Sequence, residues 1–114
     1  MVTLQARPAA IEIDPAQTAL VIVDMQNAFA SKGGMFDLAG FDISGAPAAI
    51  EANQRLIHGC RAAGVQLVYL QYVYDAELRD GGGPESPNYH KELGMVMMRD
   101  KPELAGKLLV EGTW

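Results

Sequence analysis

The chain carries an apolar run, Leu20–Val23, that leads directly into a charged residue, Asp24. Because successive side chains of a strand point to opposite faces, this largely β-branched run predicts a strand over Thr18–Asp24 that is covered on both sides, as in parallel sheets. A second stretch rich in β-branched and aromatic residues predicts another strand over Val65–Val73. Both strands are therefore expected inside a layered fold.

A helix is predicted between the two strands. Apolar residues recur at steps of three and four over Ala46–Ala63, Pro47 stands near the first position, and Gly64 follows the end. Strand, helix and strand make a βαβ unit, whose right-handed crossover makes its strands parallel. The predicted fold class is a three-layer α/β domain with a parallel sheet, present here as its first βαβ unit and following helices.

The other segments read as surface structure, loops and weaker helices. Residues 1–17 predict a surface segment, and glycines mark a loop over Ser31–Gly45. A loop over Tyr74–Asn88 precedes helical patterns over His90–Arg99 and Glu103–Val110. No third strand is evident, although two strands covered on both faces need neighbours. We therefore expect the chain to be the N-terminal part of a single larger domain.

Composition and charge limit the classes of binding partner and the cellular compartment that we expect for this protein. Of the 114 residues 49% are hydrophobic and 20% charged, and the net charge of −5 comes without a cluster of Lys or Arg. This disfavours a nucleic-acid or anionic-membrane partner. A single cysteine excludes an internal disulfide, and the chain has neither a secretory signal pattern nor a membrane-length apolar run. We expect a cytoplasmic protein.

Polar side chains gather where the first strand ends, which is where parallel α/β sheets bind small-molecule substrates. Asp24, Gln26 and Asn27 follow the apolar run. Asp24 is either a turn-former that bonds nearby backbone N–H groups or part of a substrate pocket. Tyr72 and Tyr74, at the end of the second strand, would lie beside it as core aromatics or as flat pocket walls.

The second half of the chain adds further candidates. Asn88 and His90 follow a Gly/Pro-rich segment that either folds over the same crevice or forms a solvated loop tip. Met95, Met97 and Met98 either fill a core or mark the surface of a homo-oligomer, and the core is favoured.

The segment ALVIVDMQNAF, residues 19–29, resembles the opening signature of the isochorismatase-like cysteine hydrolases, in which a first strand ends in Asp followed by Met-Gln-Asn and an aromatic residue. Many members of that family have Asp where this chain has Ala28. The segments DLAGFDIS, residues 37–44, and GGPESPNYHK, residues 82–91, are similar to one subgroup, the ureidoacrylate amidohydrolases of pyrimidine utilisation. The similarity covers the whole chain.

The resemblance implies an Asp-Lys-Cys triad in which Asp24 accepts a proton from a cysteine nucleophile that hydrolyses a C–N bond of a small ureido acid. The substrate-binding candidates are Gln26, Tyr72, Tyr74, Asn88 and His90. The family's lysine and cysteine come from later elements that these residues do not include, so we expect the 114-residue chain to be inactive by itself. An isochorismatase-like hydrolase of another amide or vinyl ether, and a non-catalytic binding fragment, remain alternatives.

Two other chemistries are not favoured. Cys60 lies within the predicted helix on its apolar face, which is typical of a small buried hydrophobe rather than a nucleophile. Zinc-binding relatives carry Asp-x-His after the second strand, but residues 71–77 contain no histidine, and neither His58 nor His90 has a ligand at zinc spacing. We expect no metal and no cofactor.

Overall fold

The computed structural model describes residues 1–74 and 77–102. The elements are β1 Val2–Leu4, β2 Ile11–Ile13, β3 Ala19–Val23, α1 Asn27–Ala30, α2 Met35–Leu38, α3 Ala46–Ala62, β4 Gln66–Leu70, α4 Pro87–Lys91 and α5 Leu93–Asp100. Short 3-10 turns cover Pro15–Gln17 and Arg79–Gly81. The helix predicted over Glu103–Val110 lies outside the described residues.

The predicted βαβ unit is confirmed. β3 and β4 pair in parallel, with Ala19 opposite Gln66 and Val23 opposite Leu70. α3 connects the two strands and packs against β4. The chain leaves α3 through Gly64, whose φ of 76° lies in the left-handed region that favours glycine. The α/β class and the parallel sheet follow from this arrangement.

One face of this sheet is covered and the other is open among the described residues. Ile22 of β3 and Ile57 of α3 are buried on the covered side. Val21 and Val23, which point to the opposite face, are 48% and 56% exposed. The cover predicted for both faces of β3 is therefore present on one face only within residues 1–74 and 77–102.

The prediction for residues 1–17 was incomplete, because this surface segment contains a hairpin. β1 and β2 pair antiparallel, with Val2 opposite Ile13 and Leu4 opposite Ile11. The strands have three residues each and alternate apolar with polar side chains, as a half-exposed ribbon does. Two prolines and the shortness of the strands concealed this alternation in the sequence.

Besides Ile22 and Ile57 on the covered face of the sheet, the described residues form a separate group of buried side chains, which we call the second core. The three methionines belong to it. Its buried members are Ala28, Met35, Tyr74, Met95, Met97 and Met98. α2, within the segment predicted as a loop, contributes Met35. The favoured placement of the methionines in a core is thus confirmed.

The single helix predicted over His90–Arg99 is wrong in its boundaries, because two helices occupy this region. α4 begins earlier, at Pro87, with the Ser86 hydroxyl accepting from the Asn88 N–H. The backbone of Glu92 is extended, which ends α4, and its side chain accepts from the Met95 N–H to cap α5. Capping by an acidic side chain at this position explains the break.

Gly34→Ala is expected to destabilise the fold because the new methyl group would meet backbone rather than flexible side chains. A Cβ at Gly34 would lie 2.9 Å from the carbonyl oxygens of Ala28 and Ser31. We expect the free energy of unfolding to fall by about 1–3 kcal/mol in urea denaturation. Gly83→Ala is the matched control, since a Cβ there meets open space; equal losses at both positions would contradict the steric explanation.

Candidate active site

Asp24 occupies a backbone conformation that few residues other than glycine adopt. Its φ is 54°, directly after the end of β3. Its N–H donates to the Leu70 carbonyl at 3.1 Å, and its own carbonyl accepts from the Gln26 N–H at 2.8 Å. The turn is therefore closed by the backbone of Asp24. Among the described residues the exposed carboxylate makes no hydrogen bond, so it is available for chemistry.

Asp24 lines an open groove of about 330 Å³, which we call the Asp24 groove. Its other lining residues are Met25, Phe29, Ala30, Phe36, Asp42, Ile43, Gly45, Ala46 and Ala49. The backbone N–H and the hydroxyl of Ser44 hydrogen bond Asp42 and hold the pKa of its carboxyl below the usual value. The groove thus has mostly apolar walls, two carboxylates and the start of α3, in a volume that suits a small molecule.

Gln26 connects the exits of the two strands. It is 1% exposed, its Nε2 donates to the Tyr72 carbonyl at 3.0 Å, and its Oε1 accepts from the Tyr72 N–H at 2.8 Å. Both functional atoms of the amide are thus engaged by the backbone of one residue. In the described residues Gln26 holds the site together; direct contact of its side chain with a substrate stays a prediction.

The two tyrosines lie beyond β4, which ends at Leu70 and not at Val73 as predicted, and they have different environments. Tyr74 is 9% exposed and belongs to the second core, whereas Tyr72 is 43% exposed. Their hydroxyl groups hydrogen bond each other, and their rings meet edge to face with centroids 5.2 Å apart. Tyr74 thus takes the core role that the sequence left open for the pair, whereas Tyr72 stays at the surface.

A narrow crevice, the tyrosine crevice, adjoins the Asp24 groove. It is lined by Ala28, Phe29, Met35, Tyr72, Val73, Tyr74, Gly94 and Met98. Phe29 lines both depressions. The ends of β3 and β4, which the sequence placed side by side, are therefore flanked by two depressions that share Phe29, with Asp24 lining one and Tyr72 lining the other.

The structure does not bring Asn88 and His90 into either depression. Both are exposed residues of α4, which packs against α5. The Nε2 atom of His90 lies 2.6 Å from the Pro84 carbonyl oxygen and so ties α4 to the preceding turn. A role of either residue in substrate binding stays a prediction.

Comparison with known proteins assigns the amino-acid sequence to a family. A family profile described as Isochorismatase domain matches residues 18–114. The chain belongs to the isochorismatase family. This confirms the resemblance drawn from the signature around Asp24.

Three curated relatives of this isochorismatase-family chain carry the name ureidoacrylate amidohydrolase RutB, and each is 51% identical to it. The protein of Rhizobium rhizogenes aligns over 99% of the chain and 46% of its own length. Those of Agrobacterium fabrum and Azorhizobium caulinodans align over 98% and 97% of the chain and 49% of their own lengths. The chain spans about half the length of the curated relatives it matches.

Sequence reasoning missed Asp42, which lines the Asp24 groove, and the helix-capping residue Glu92. Asp42 lies in the segment of residues 37–44, which the sequence analysis used only to identify the subgroup. Its position in the Asp24 groove depends on the path of the chain between α2 and α3. Glu92 caps α5 beside Tyr74, and its signal was an acidic residue directly before an apolar helical stretch. Phe29, part of the signature, was quoted without a role.

Three further features of this isochorismatase-family chain concern metal ligands, Cys60 and helix length. Residues 1–74 and 77–102 contain no group of three His, Cys, Asp or Glu side chains placed to hold a metal ion. Cys60 is half-buried in an apolar groove with Val2, Leu4 and Leu56. Within the same residues, no helix combines the length and the apolar character that crossing a membrane requires.

Proposed function

We propose that the protein to which this chain belongs is a ureidoacrylate amidohydrolase, which hydrolyses a C–N bond of a small ureido acid with a cysteine nucleophile. The observation that carries the proposal is the unpartnered carboxylate of Asp24, held in a left-handed turn at the carboxyl end of a parallel strand. The names of three relatives at 51% identity support the substrate class. Residues 1–114 would form the N-terminal part of the single catalytic domain of a cytoplasmic enzyme.

In this proposal Asp24 accepts the proton of a cysteine thiol that lies beyond these residues. An ordinary thiol has a pKa about 4.6 units above that of an ordinary aspartate, so the transfer is uphill by about 6 kcal/mol. A positive neighbour, which the family supplies as a lysine, must stabilise the thiolate. The exposed position of Asp24 leaves room for both groups to approach the carboxylate.

The reaction then balances in two stages. The thiolate attacks the ureido carbonyl, the C–N bond breaks, and the amine leaves with the proton held by Asp24. A water molecule next hydrolyses the resulting S-carbamoyl enzyme, which releases carbamate and restores the thiol. The Asp24 groove and Tyr72 would hold the planar ureido acid during both stages.

A substrate comparison tests the function directly. The protein at its full encoded length would be assayed with ureidoacrylate and with isochorismate, and release of carbamate-derived ammonia and of isochorismate products would be measured. We expect turnover of the ureido acid alone, and no turnover by the 114-residue chain by itself. Cys60→Ser is the control and should retain the full-length rate. Preferential turnover of the vinyl ether, or loss of activity in Cys60→Ser, would contradict the assignment.

A further inference from the structure

The hydroxyl groups of Tyr72 and Tyr74 form a pair whose members differ in exposure. Tyr74 is 9% exposed and packs in the second core, whereas Tyr72 is 43% exposed. The two hydroxyls hydrogen bond each other, and geometry alone permits either to donate. Each hydroxyl has a single proton to give. The direction of this bond therefore decides whether Tyr72 presents a donor or only an acceptor to a ligand.

Burial makes Tyr74 the donor of the pair. A buried O–H group without an acceptor is unfavourable, because it has lost its hydrogen bonds with water. The other buried members of the second core are apolar, and the Tyr72 oxygen lies within hydrogen-bond distance of the Tyr74 hydroxyl. Burial, this bond and the negative charge of Glu92 raise the pKa of Tyr74, so the hydroxyl keeps the proton that it donates.

The proton of the Tyr72 hydroxyl is then available to a ligand. Its oxygen accepts from Tyr74, and in the part of the chain that the structure describes no other group bonds this hydroxyl. A hydroxyl that accepts a hydrogen bond becomes a better donor, because linked hydrogen bonds polarise one another. Gln26 holds both the N–H and the carbonyl of Tyr72, which limits the positions that this donor can reach.

The two depressions beside the strand ends differ in charge. Asp24 and Asp42 line the Asp24 groove, whereas the described residues that line the tyrosine crevice include no charged side chain. The carboxylate of a ureido acid would be repelled by the two aspartates, but its ureido N–H groups would not be. The crevice shares Phe29 with the groove, so it is the better place for the carboxylate of a substrate whose ureido group lies near Asp24.

We propose that Tyr72 is a specificity-determining residue, whose hydroxyl donates a hydrogen bond to the carboxylate of the ureido acid. Tyr74 is the positioning residue, because its bond to the Tyr72 oxygen leaves the Tyr72 proton for the substrate. This inference rests on the proposed function and adds to it that the substrate carries an anionic group. A neutral urea without that group would gain nothing from the Tyr72 hydroxyl.

Steady-state kinetics of the full-length protein test the contact with the carboxylate. Ureidoacrylate is the substrate, and propenylurea, in which a methyl group replaces the carboxylate, is a competing ligand. In Tyr72→Phe we expect KM for ureidoacrylate to rise about 10- to 100-fold, the value of one hydrogen bond to a charged group. The inhibition constant of propenylurea should change by less than about threefold, since it has no carboxylate to lose the bond. Tyr74→Phe should raise KM by a smaller factor, because Tyr72 keeps its proton but loses the bond that polarises it.

Tyr69→Phe is the matched control for the loss of a tyrosine hydroxyl. Tyr69 is 39% exposed, its hydroxyl accepts from Arg61, and it lines neither depression. We expect it to leave both constants unchanged. In Tyr72→Phe, an equal change for the two ligands, or no rise in KM for ureidoacrylate, would overturn this inference while the turnover of ureidoacrylate itself leaves the proposed function standing.

Hydroxyl exchange gives a readout that needs no activity. It is measured by NMR on the full-length protein with tyrosine labelled at the ring carbon that carries the oxygen. The Tyr74 proton should exchange with solvent more slowly than that of Tyr69, and Tyr72→Phe should accelerate its exchange. An unchanged rate would mean that another acceptor, such as the carboxylate of Glu92, takes the proton, and would overturn the proposal. If no ureido acid is hydrolysed while the exchange results hold, the proposed function fails and the direction of the Tyr74–Tyr72 bond stands.

Discussion

Asp24→Asn is expected to lower kcat of the full-length protein in the proposed reaction by at least about a hundredfold, the lower bound for a residue that transfers a proton in the transition state. Asparagine has the shape of aspartate but cannot accept the thiol proton. It also tolerates the left-handed backbone, so the φ of 54° at this position should survive. The free energy of unfolding should change by less than about 0.5 kcal/mol.

The choice of variant matters because the turn itself is closed by backbone atoms. Alanine at position 24 would combine loss of the carboxylate with strain at positive φ, and its effect would have two explanations. Asp42→Asn is the better control, since it removes a second carboxylate from the same groove whose partner Ser44 can still donate to the amide oxygen. We expect a much smaller loss of kcat there. Near-normal activity of Asp24→Asn would exclude Asp24 as the proton acceptor.

Gln26→Leu is expected to reduce both stability and activity. Leucine fills a similar volume, but it leaves the N–H and the carbonyl of Tyr72 without the two bonds that Gln26 supplies. Loss of two part-buried hydrogen bonds to the backbone should lower the free energy of unfolding by about 1–3 kcal/mol in urea denaturation. Activity should fall as well, because the exits of β3 and β4 are no longer held in register.

Gln54→Leu provides the matched control for this change. Gln54 lies on α3 with its side chain exposed, so the same substitution removes a glutamine without removing a buried bond. Its stability should stay within about 0.5 kcal/mol of the parent protein. If Gln26→Leu is equally harmless, the amide of Gln26 does not clamp the two strands.

The longer elements of the fold could be predicted because their apolar residues form a continuous run or recur at regular intervals. The β-branched run before Asp24 and the three-and-four spacing of α3 predicted the βαβ unit closely. The hairpin within residues 1–17 was not predicted, because three residues per strand are too few to show an alternation of apolar and polar side chains. The break between α4 and α5 at Glu92 was not predicted, because a single extended residue interrupts an otherwise continuous helical pattern. The break is visible only from the bond by which Glu92 caps α5.

The proximity of the ends of β3 and β4 was predictable from the sequence, but the bonding between them was not. A strand that ends in Asp24 and a strand that ends near Tyr72 had to meet once the sheet was parallel. The sequence could not show that both amide atoms of Gln26 form hydrogen bonds with the backbone. Those bonds depend on the burial of the Gln26 side chain between the ends of β3 and β4. Nor could it show that Asn88 and His90 lie on α4, away from the Asp24 groove.

The bonds between Gln26 and Tyr72 join residues that are 46 positions apart in the chain. Such bonds can form only after the crossover has closed a long loop, whose entropy must be lost before any long-range bond compensates for it. We therefore expect this clamp to mature late in folding, so that Gln26→Leu mainly accelerates unfolding and leaves the refolding rate nearly unchanged in stopped-flow measurements. The kinetic lifetime of the folded protein would then depend on the amide that joins the chain after β3 to the chain after β4, two residues from the proposed proton acceptor Asp24.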